Sequence, residues 1–397
     1  MSQLAIVNLG GVCTGDLAEP FLEADSVLVD EGWIVEVGSG VAGAGDGHEI
    51  TIDARGGILA PGLIDSHVHT VFADWTPRQN AIGFLESYTH GGITRVLSAS
   101  EVHLPGRPTD PQGVKALALV AHLSFQKLRP NGMTVHGGSL ILEPGLVESD
   151  FEELAAAGVW QAKAGMGNFT PAREAAPYAR MAQRHGFKVM CHTGGSSIPS
   201  SSPVTADDLL EIAPDVSGHV NGGTTSLPDA DLPRVVESGI ALQICQAGNL
   251  RSALEIVRLA READALDRVL AASDTPTGTG MMPLAVIKSV VELSSLAGVP
   301  APVALCFATG NVGRVYGLEA GFVAQGAPAD LILIDAPAGG STETALEAIE
   351  NGDLPGIGAV ITDGVVRALP SRNTPPPTRM PTLVEGGERR SGSGGRQ

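Results

Sequence analysis

Lysine is scarce in this 397-residue sequence, with five against twenty arginines, and the 25 basic residues are outnumbered by 44 acidic ones. A formal charge of −19 argues against nucleic acid or an anionic membrane surface as a partner, since both demand surplus positive charge. It also means that an anionic substrate would need a local arginine to hold it. Aromatic residues amount to only 4%. The four cysteines (Cys13, Cys191, Cys245 and Cys306) are scattered and show no metal-knuckle spacing, so buried free thiols are expected. No run of about 18 apolar residues suggests a membrane span. The start, MSQLAIVNLGG, lacks the basic region and long apolar stretch of a secretory signal. A soluble, cytoplasmic protein is the expectation.

What is present is apolar bulk, 43% of the chain, enough for one large barrel or two ordinary domains. Residues 1–56 alternate short apolar runs with glycine (LAIVNLGG, DSVLVDEGWIVEVGSG, HEITIDARGG), the punctuation of a small β-unit. The pattern returns over 321–370 in GFVAQGAPADLILIDA and IGAVITDGVVRAL, so the two ends are expected to pair into one β-sandwich. Between them, over 57–320, eight strand candidates alternate with helical patterns. The strands are ILAPGLIDSHVH, ITRVLSAS, MTVHGGSLIL, GVWQAKAG, FKVMCHTGG, DVSGHVNGG, IALQICQAGN and RVLAASDTP. Such alternation predicts an α/β fold, a (β/α)8 TIM-like barrel. A doubly wound sheet is the alternative, but no strand of this block leads into a GxGxxG turn. Residues 371–397, rich in Pro, Gly, Ser and Arg, are expected to be largely mobile.

Barrel enzymes carry their chemistry at the C-terminal ends of the strands. The first such end holds His67 and His69, whose i, i+2 spacing puts both imidazoles on one side of an extended segment. The fourth carries Lys163, the fifth His192, the sixth His219 and the eighth Asp274. A lone buried histidine is usually an ordinary core residue. Four of the chain's ten histidines and an aspartate at matching strand ends point instead to a metal site. All these donors are nitrogen or oxygen, which suits zinc, iron or manganese.

Lys163 sits inside GVWQAKAG, a small-residue strand. With Trp160 turned to the helices, alternation would point Lys163 into the barrel, level with the other ligands. An ammonium beside a dication is repelled and has no lone pair to offer. Desolvated next to positive charge, it loses its proton. The neutral amine can then add carbon dioxide, and the carbamate's two oxygens can bridge two ions. The plainer reading is a lysine that snorkels to solvent or pairs with a carboxylate.

LAPGLIDSHVH followed by a strand-four anion, His192, His219 and Asp274 resembles the amidohydrolase superfamily. More narrowly, the chain resembles the enamidase branch, which opens the ring of 6-oxo-1,4,5,6-tetrahydronicotinate. The resemblance extends to the SRNTPPP segment and includes DWTPRQ, HGGIT, LPGRP, HTGGSSIPSSSPVTADD, HVNGG, SDTPTGTG, ATGN and APADLILID. It implies a binuclear centre that opens a cyclic amide, an enamide or lactam bearing a carboxylate, through a metal-bridging hydroxide. His67, His69 and Asp274 would hold the more buried of two divalent ions, zinc first among the candidates. His192 and His219 would hold the other, with Lys163 between them. Asp274 would move the proton from the nucleophile to the leaving nitrogen. The resemblance also suggests a homo-oligomer, a tetramer.

One departure falls on Lys163, since enamidase has a glutamate in the bridging place. Branches resembling hydantoinases, dihydroorotase and phosphotriesterases use a carboxylated lysine there. An imide, hydantoin or dihydropyrimidine hydrolase is therefore an alternative. A one-metal deaminase is another, and a barrel serving only as an interaction protein a further one. Arg78 and Arg107 follow the first two strands, and each is a candidate for a substrate carboxylate or a loop-stabilising residue. His103 and His136 are candidates for substrate contact or for a structural role.

Overall fold

The glycine-punctuated N-terminal run forms seven strands: β1 (Leu4–Val7), β2 (Gly11–Cys13), β3 (Phe21–Leu22), β4 (Ser26–Asp30), β5 (Trp33–Gly38), β6 (Ile50–Asp53) and β7 (Ile58–Pro61). A computed structural model describes residues 3–43, 47–70, 83–101, 106–196, 201–223, 225–276 and 280–386. The central block begins with β8 (Leu63–Val68), α1 (Phe84–Thr89), β9 (Ile93–Ser98) and α2 (Pro111–Phe125). It continues through β10 (Thr134–His136), β11 (Ser139–Ile141), α3 (Glu148–Ala156), β12 (Gln161–Ala164), α4 (Ala176–Arg184) and β13 (Lys188–His192). Next come α5 (Ala206–Ile212), β14 (Val216–Gly218), α6 (Leu232–Glu237), β15 (Ala241–Cys245), α7 (Leu250–Glu262) and β16 (Val269–Ala272). Three helices, α8 (Ala285–Ala297), α9 (Ala301–Cys306) and α10 (Gly310–Tyr316), lead to β17 (Leu331–Asp335), α11 (Ala345–Asn351), β18 (Gly356–Thr362), β19 (Val365–Ala368) and β20 (Thr382–Glu385).

Local chemistry sets several helix starts. Asp110 accepts from the Gly113 amide at 2.9 Å ahead of Pro111, and Asn249 accepts from Ser252 at 3.0 Å. Thr205 and Asp208 cap α5 reciprocally.

The central strands are parallel and nearly all buried, in sheets ordered β10-β9-β8 and β11-β12-β13-β14-β15-β16. Outward residues such as Ala162, Val189, Leu242 and Ile244 pack in the large cluster with the helices. Inward ones such as Ile64, Leu97, Met190, Ala241 and Leu270 form a second cluster. The end of β16 is tied back to β8, because the Asp274 amide donates to His67 O and the His69 amide to Thr275 O, both at 2.9 Å.

The chain ends build two mixed sheets, β20-β6-β1-β4-β5 and β19-β18-β17-β7-β2-β3. Leu4, Ile6, Val27 and Ile52 of the first share one buried cluster with Val12, Leu59, Leu331 and Ile361 of the second.

Four expectations need revision. ILAPGLIDSHVH is two strands, broken at Gly62, where a Cβ would come within 2.3 Å of Thr94. Its first half, β7, pairs with β2 and β17, so the terminal sheets reach past residue 57. The third strand is split at Gly137-Gly138 into β10 and β11. Trp160 precedes β12, escapes the alternation, and packs against the inner cluster, edge-on to Tyr316 and His136. Residues 371–386 are ordered: β20 runs antiparallel to β6, and Arg379 pairs with the buried carboxylate of Asp335. Composition missed both a short apolar strand and a buried acid needing a cation. Residues 387–397 lie outside the described residues. Among those described, no helix is long and apolar enough to cross a membrane.

Candidate metal centre

Imidazoles from the end of β8 meet a carboxylate from the end of β16. The Oδ1 of Asp274 lies 3.3 Å from His67 Nε2 and 3.2 Å from His69 Nε2. All three side chains are buried, and their ligand atoms fall within 4.8 Å of one another. Asp274 has φ 58°, a left-handed backbone conformation that strains a residue with a Cβ. The flanking amide bonds to β8 hold it there.

The next two histidines form a second pair. His192 Nδ1 and His219 Nε2 are 3.0 Å apart, roughly the separation of two nitrogens each about 2.0–2.1 Å from one zinc ion. The His192 Nε2–H donates to Gly195 O at 2.6 Å, which leaves Nδ1 as the lone-pair nitrogen. His219 has φ 37°, and its buried Nδ1 has no hydrogen-bond partner among the described residues. Gly165 makes room for this pair, since a Cβ there, at φ +80°, would come within 2.9 Å of His192 Cβ.

Lys163 joins the two groups. Its Nζ lies 3.5 Å from His67 Nε2 and donates to Met190 Sδ at 3.2 Å. The His67 and His219 rings stand 5.3 Å apart.

Electrostatics prepares these groups to bind a cation. Burial, then the nearby Lys163 charge, holds His67 well below the usual histidine range, against the pull of Asp274. Burial likewise lowers His192 to about 4 and His219 to about 3, so both are neutral at pH 7. Burial depresses the Lys163 ammonium, opposed by the Asp274 charge. For Asp274 burial pushes upward, but His67, His69 and His219 outweigh it and hold the carboxyl well below its ordinary range. The Nε2 atoms of His67 and His69 therefore converge on one oxygen of an ionised carboxylate, at 3.3 and 3.2 Å. The donor set, two imidazoles and a carboxylate in one buried cluster, fits a divalent cation.

Several supporting residues escape sequence reasoning. Asp65 accepts from the amides of His67 (3.2 Å) and Ser273 (3.0 Å), and burial pushes it up to about 7 against those bonds. Ser100 Oγ lies 3.2 Å from His69 Nδ1, and Gln243 Oε1 lies 2.5 Å from His67 Nδ1. Tyr88 reaches Thr275, next to Asp274. The only sequence signal for Gln243 is a lone amide in an otherwise apolar strand.

The substrate candidates fare differently. Arg107 is buried and engaged by Glu143 at 2.5 Å and by the Met166 carbonyl at 2.8 Å, the pattern of a loop-stabilising residue. His136 meets Trp160 edge-on in a cavity of about 270 Å³ shared with His122 and Arg129, and none of its described contacts reaches the candidate metal ligands. Burial lowers it to about 3. Arg78 and His103 lie outside the described residues.

Comparison with known proteins gives a consistent answer. Enamidase of Eubacterium barkeri is 43% identical over 386 residues, 97% of this chain and 100% of that protein. A crystal structure of enamidase, described as a new member of the amidohydrolase superfamily, matches with a TM-score of 0.90 at 42% identity. The match covers 96% of this chain and 100% of that one. A β-aspartyl dipeptidase from Fervidobacterium islandicum AW-1 matches with a TM-score of 0.60 at 17% identity, over 92% and 96% of the two chains. That likeness speaks for the fold alone. No protein-family model matches the chain.

Proposed function

Because the chain belongs to the amidohydrolase superfamily, and within it to the enamidases, we propose that it opens a cyclic enamide or lactam bearing a carboxylate. The carrying observation is the convergence of His67, His69 and Asp274 in one buried cluster. His67, His69 and Asp274 would hold one divalent ion, and His192 and His219 a second. Such ions, when bound, make water nucleophilic at neutral pH and polarise the scissile carbonyl.

The remaining work falls to the side chains. Lys163, whose ammonium form burial disfavours, would add carbon dioxide at Nζ with loss of one proton, and the resulting carbamate anion would lie between the two groups of ligands. Asp274, held ionised, accepts the proton of the attacking water and passes it to the leaving nitrogen. An enamine released in this way tautomerises and can lose ammonia. Arg107 is engaged by Glu143, which leaves Arg78 as the candidate for a substrate carboxylate.

The finer fold belongs to the same reading. The ties from β16 to β8 and the split third strand support a closed (β/α)8 barrel, and the shared cluster of the terminal sheets supports a β-sandwich. Four buried free thiols suit a reducing cytoplasm. A homo-oligomer completes the proposal.

Lys163 favours a second reading, an imide, hydantoin or dihydropyrimidine hydrolase. A panel of enamides, lactams, hydantoins and dihydropyrimidines, followed by ultraviolet absorbance and ammonia release, separates the two. Carboxylated enamides or lactams should turn over fastest. Turnover confined to hydantoins would favour the second reading, and turnover of none by the metal-loaded chain would contradict both.

A further inference from the structure

Strand β15 reads Ala-Leu-Gln-Ile-Cys, and every residue in it is buried. Leu242 and Ile244 pack outward among the helices, which turns Gln243 inward between Ala241 and Cys245. A primary amide in such a place is costly unless both its ends are hydrogen-bonded. Apart from Cys245 Sγ, 3.9 Å from Oε1, the partners of Gln243 lie on β8, beside or on a proposed ligand. Its Nε2 donates to Ser66 O at 3.1 Å and to Ser66 Oγ at 2.8 Å, and its Oε1 lies 2.5 Å from His67 Nδ1.

These contacts fix where the protons are. The backbone carbonyl of Ser66 only accepts, so the NH2 of Gln243 faces it and the amide oxygen faces the imidazole. That oxygen also only accepts, so His67 Nδ1 carries the hydrogen. His67 Nε2 then bears the lone pair, and Nε2 is the nitrogen that faces Asp274 Oδ1 at 3.3 Å.

We propose that Gln243 is a positioning residue that locks His67 in the Nδ1–H tautomer and fixes its ring, presenting Nε2 as a donor before any ion arrives. The inference rests on the reading of His67 as a ligand. Without the acceptor, the Nε2–H tautomer becomes accessible, and that form offers no lone pair toward Asp274. The residues that orient metal-binding histidines usually do so in this way, and their loss costs about 10–100-fold in metal affinity.

A role in packing alone makes the opposite forecast for two variants. Gln243→Met keeps the volume and loses the acceptor, whereas Gln243→Glu keeps an acceptor and adds a buried charge. If Gln243 positions His67, zinc affinity of the full chain, measured by chelator competition, falls about 10–100-fold in Gln243→Met and holds near the parent value in Gln243→Glu. If Gln243 only fills space, the order reverses. Unchanged affinity in Gln243→Met, or equal losses in both variants, overturns the proposal.

A second readout does not depend on either variant folding. Nitrogen-15 spectra of the histidine-labelled, metal-free parent chain report the His67 tautomer directly. Protonation at Nδ1 is expected, and protonation at Nε2 overturns the proposal. A parent chain that binds no zinc but shows the Nδ1–H tautomer would sink the ligand reading and support the tautomer assignment.

Discussion

Lys163 and Gln243 are one kind of signal at the residue scale, a polar side chain set alone in a buried strand. Lys163 stands out in the sequence because lysine is rare and because an amine beside metal ligands poses a chemical problem. Gln243 does not, since an amide has no charge to explain and its partners, Ser66 and His67, lie more than 170 positions away. The histidine spacing at 67 and 69 was legible because two residues of one strand must share a face. The left-handed backbone of His219 and Asp274 was not, because nothing in their side chains demands it.

Glu101 gives the residue-scale test of electrostatics. Its Oε1 accepts the amides of Gly138 (2.5 Å) and Ser139 (2.6 Å), closing the break in the third strand. Burial nevertheless raises it to about 8. Between the ordinary glutamate range and pH 8 the unfolded chain has released this proton while the folded chain retains it. Stability from this site therefore falls as pH rises through that window. Glu101→Gln keeps an acceptor and removes the titration. Its Tm should gain on the parent at pH 8 relative to pH 5, and an unchanged difference between the two pH values would contradict the assignment.

At the scale of elements, the strand order of the central block was readable because each strand is an apolar run followed by a helical pattern. The breaks within the first and third strands were not, since both depend on what lies opposite, Thr94 against Gly62 in one case. The C-terminal segment was misjudged for a similar reason. TLVE gains its strand only by lying against β6, and the value of Arg379 depends on Asp335, 44 residues earlier. The Arg379 amide and guanidinium bond to Asp335 Oδ2 at 2.7 and 3.1 Å. The Asp335 side chain is 2% exposed and that of Arg379 35%. Removing one partner of a fully buried pair costs about 3–5 kcal/mol, and the partial exposure of the guanidinium reduces that. Arg379→Ala should lower stability by about 2 kcal/mol in urea denaturation. A change within error would mean that the segment is not held by this pair.

For the molecule as a whole, one face of the second terminal sheet (Ile58, Ala60, Ile332, Ile357) packs in the large cluster with the parallel strands and helices, and its other face shares a cluster with the first sheet. The proposed metal ligands come from five different strand ends, and the ties between β16 and β8 bring the first and last of them together. Such a site depends on the whole set of central strands. The proposed centre holds two ions per chain, with Lys163 between them.

The most direct test is elemental analysis of the full chain prepared with bicarbonate and zinc, alongside Lys163→Ala. About two zinc ions per parent chain are expected. The variant should lose at least one of them together with its turnover, and short carboxylates should restore part of both. A parent chain holding a single ion, or a Lys163→Ala chain that keeps both ions and full turnover, would contradict the claim.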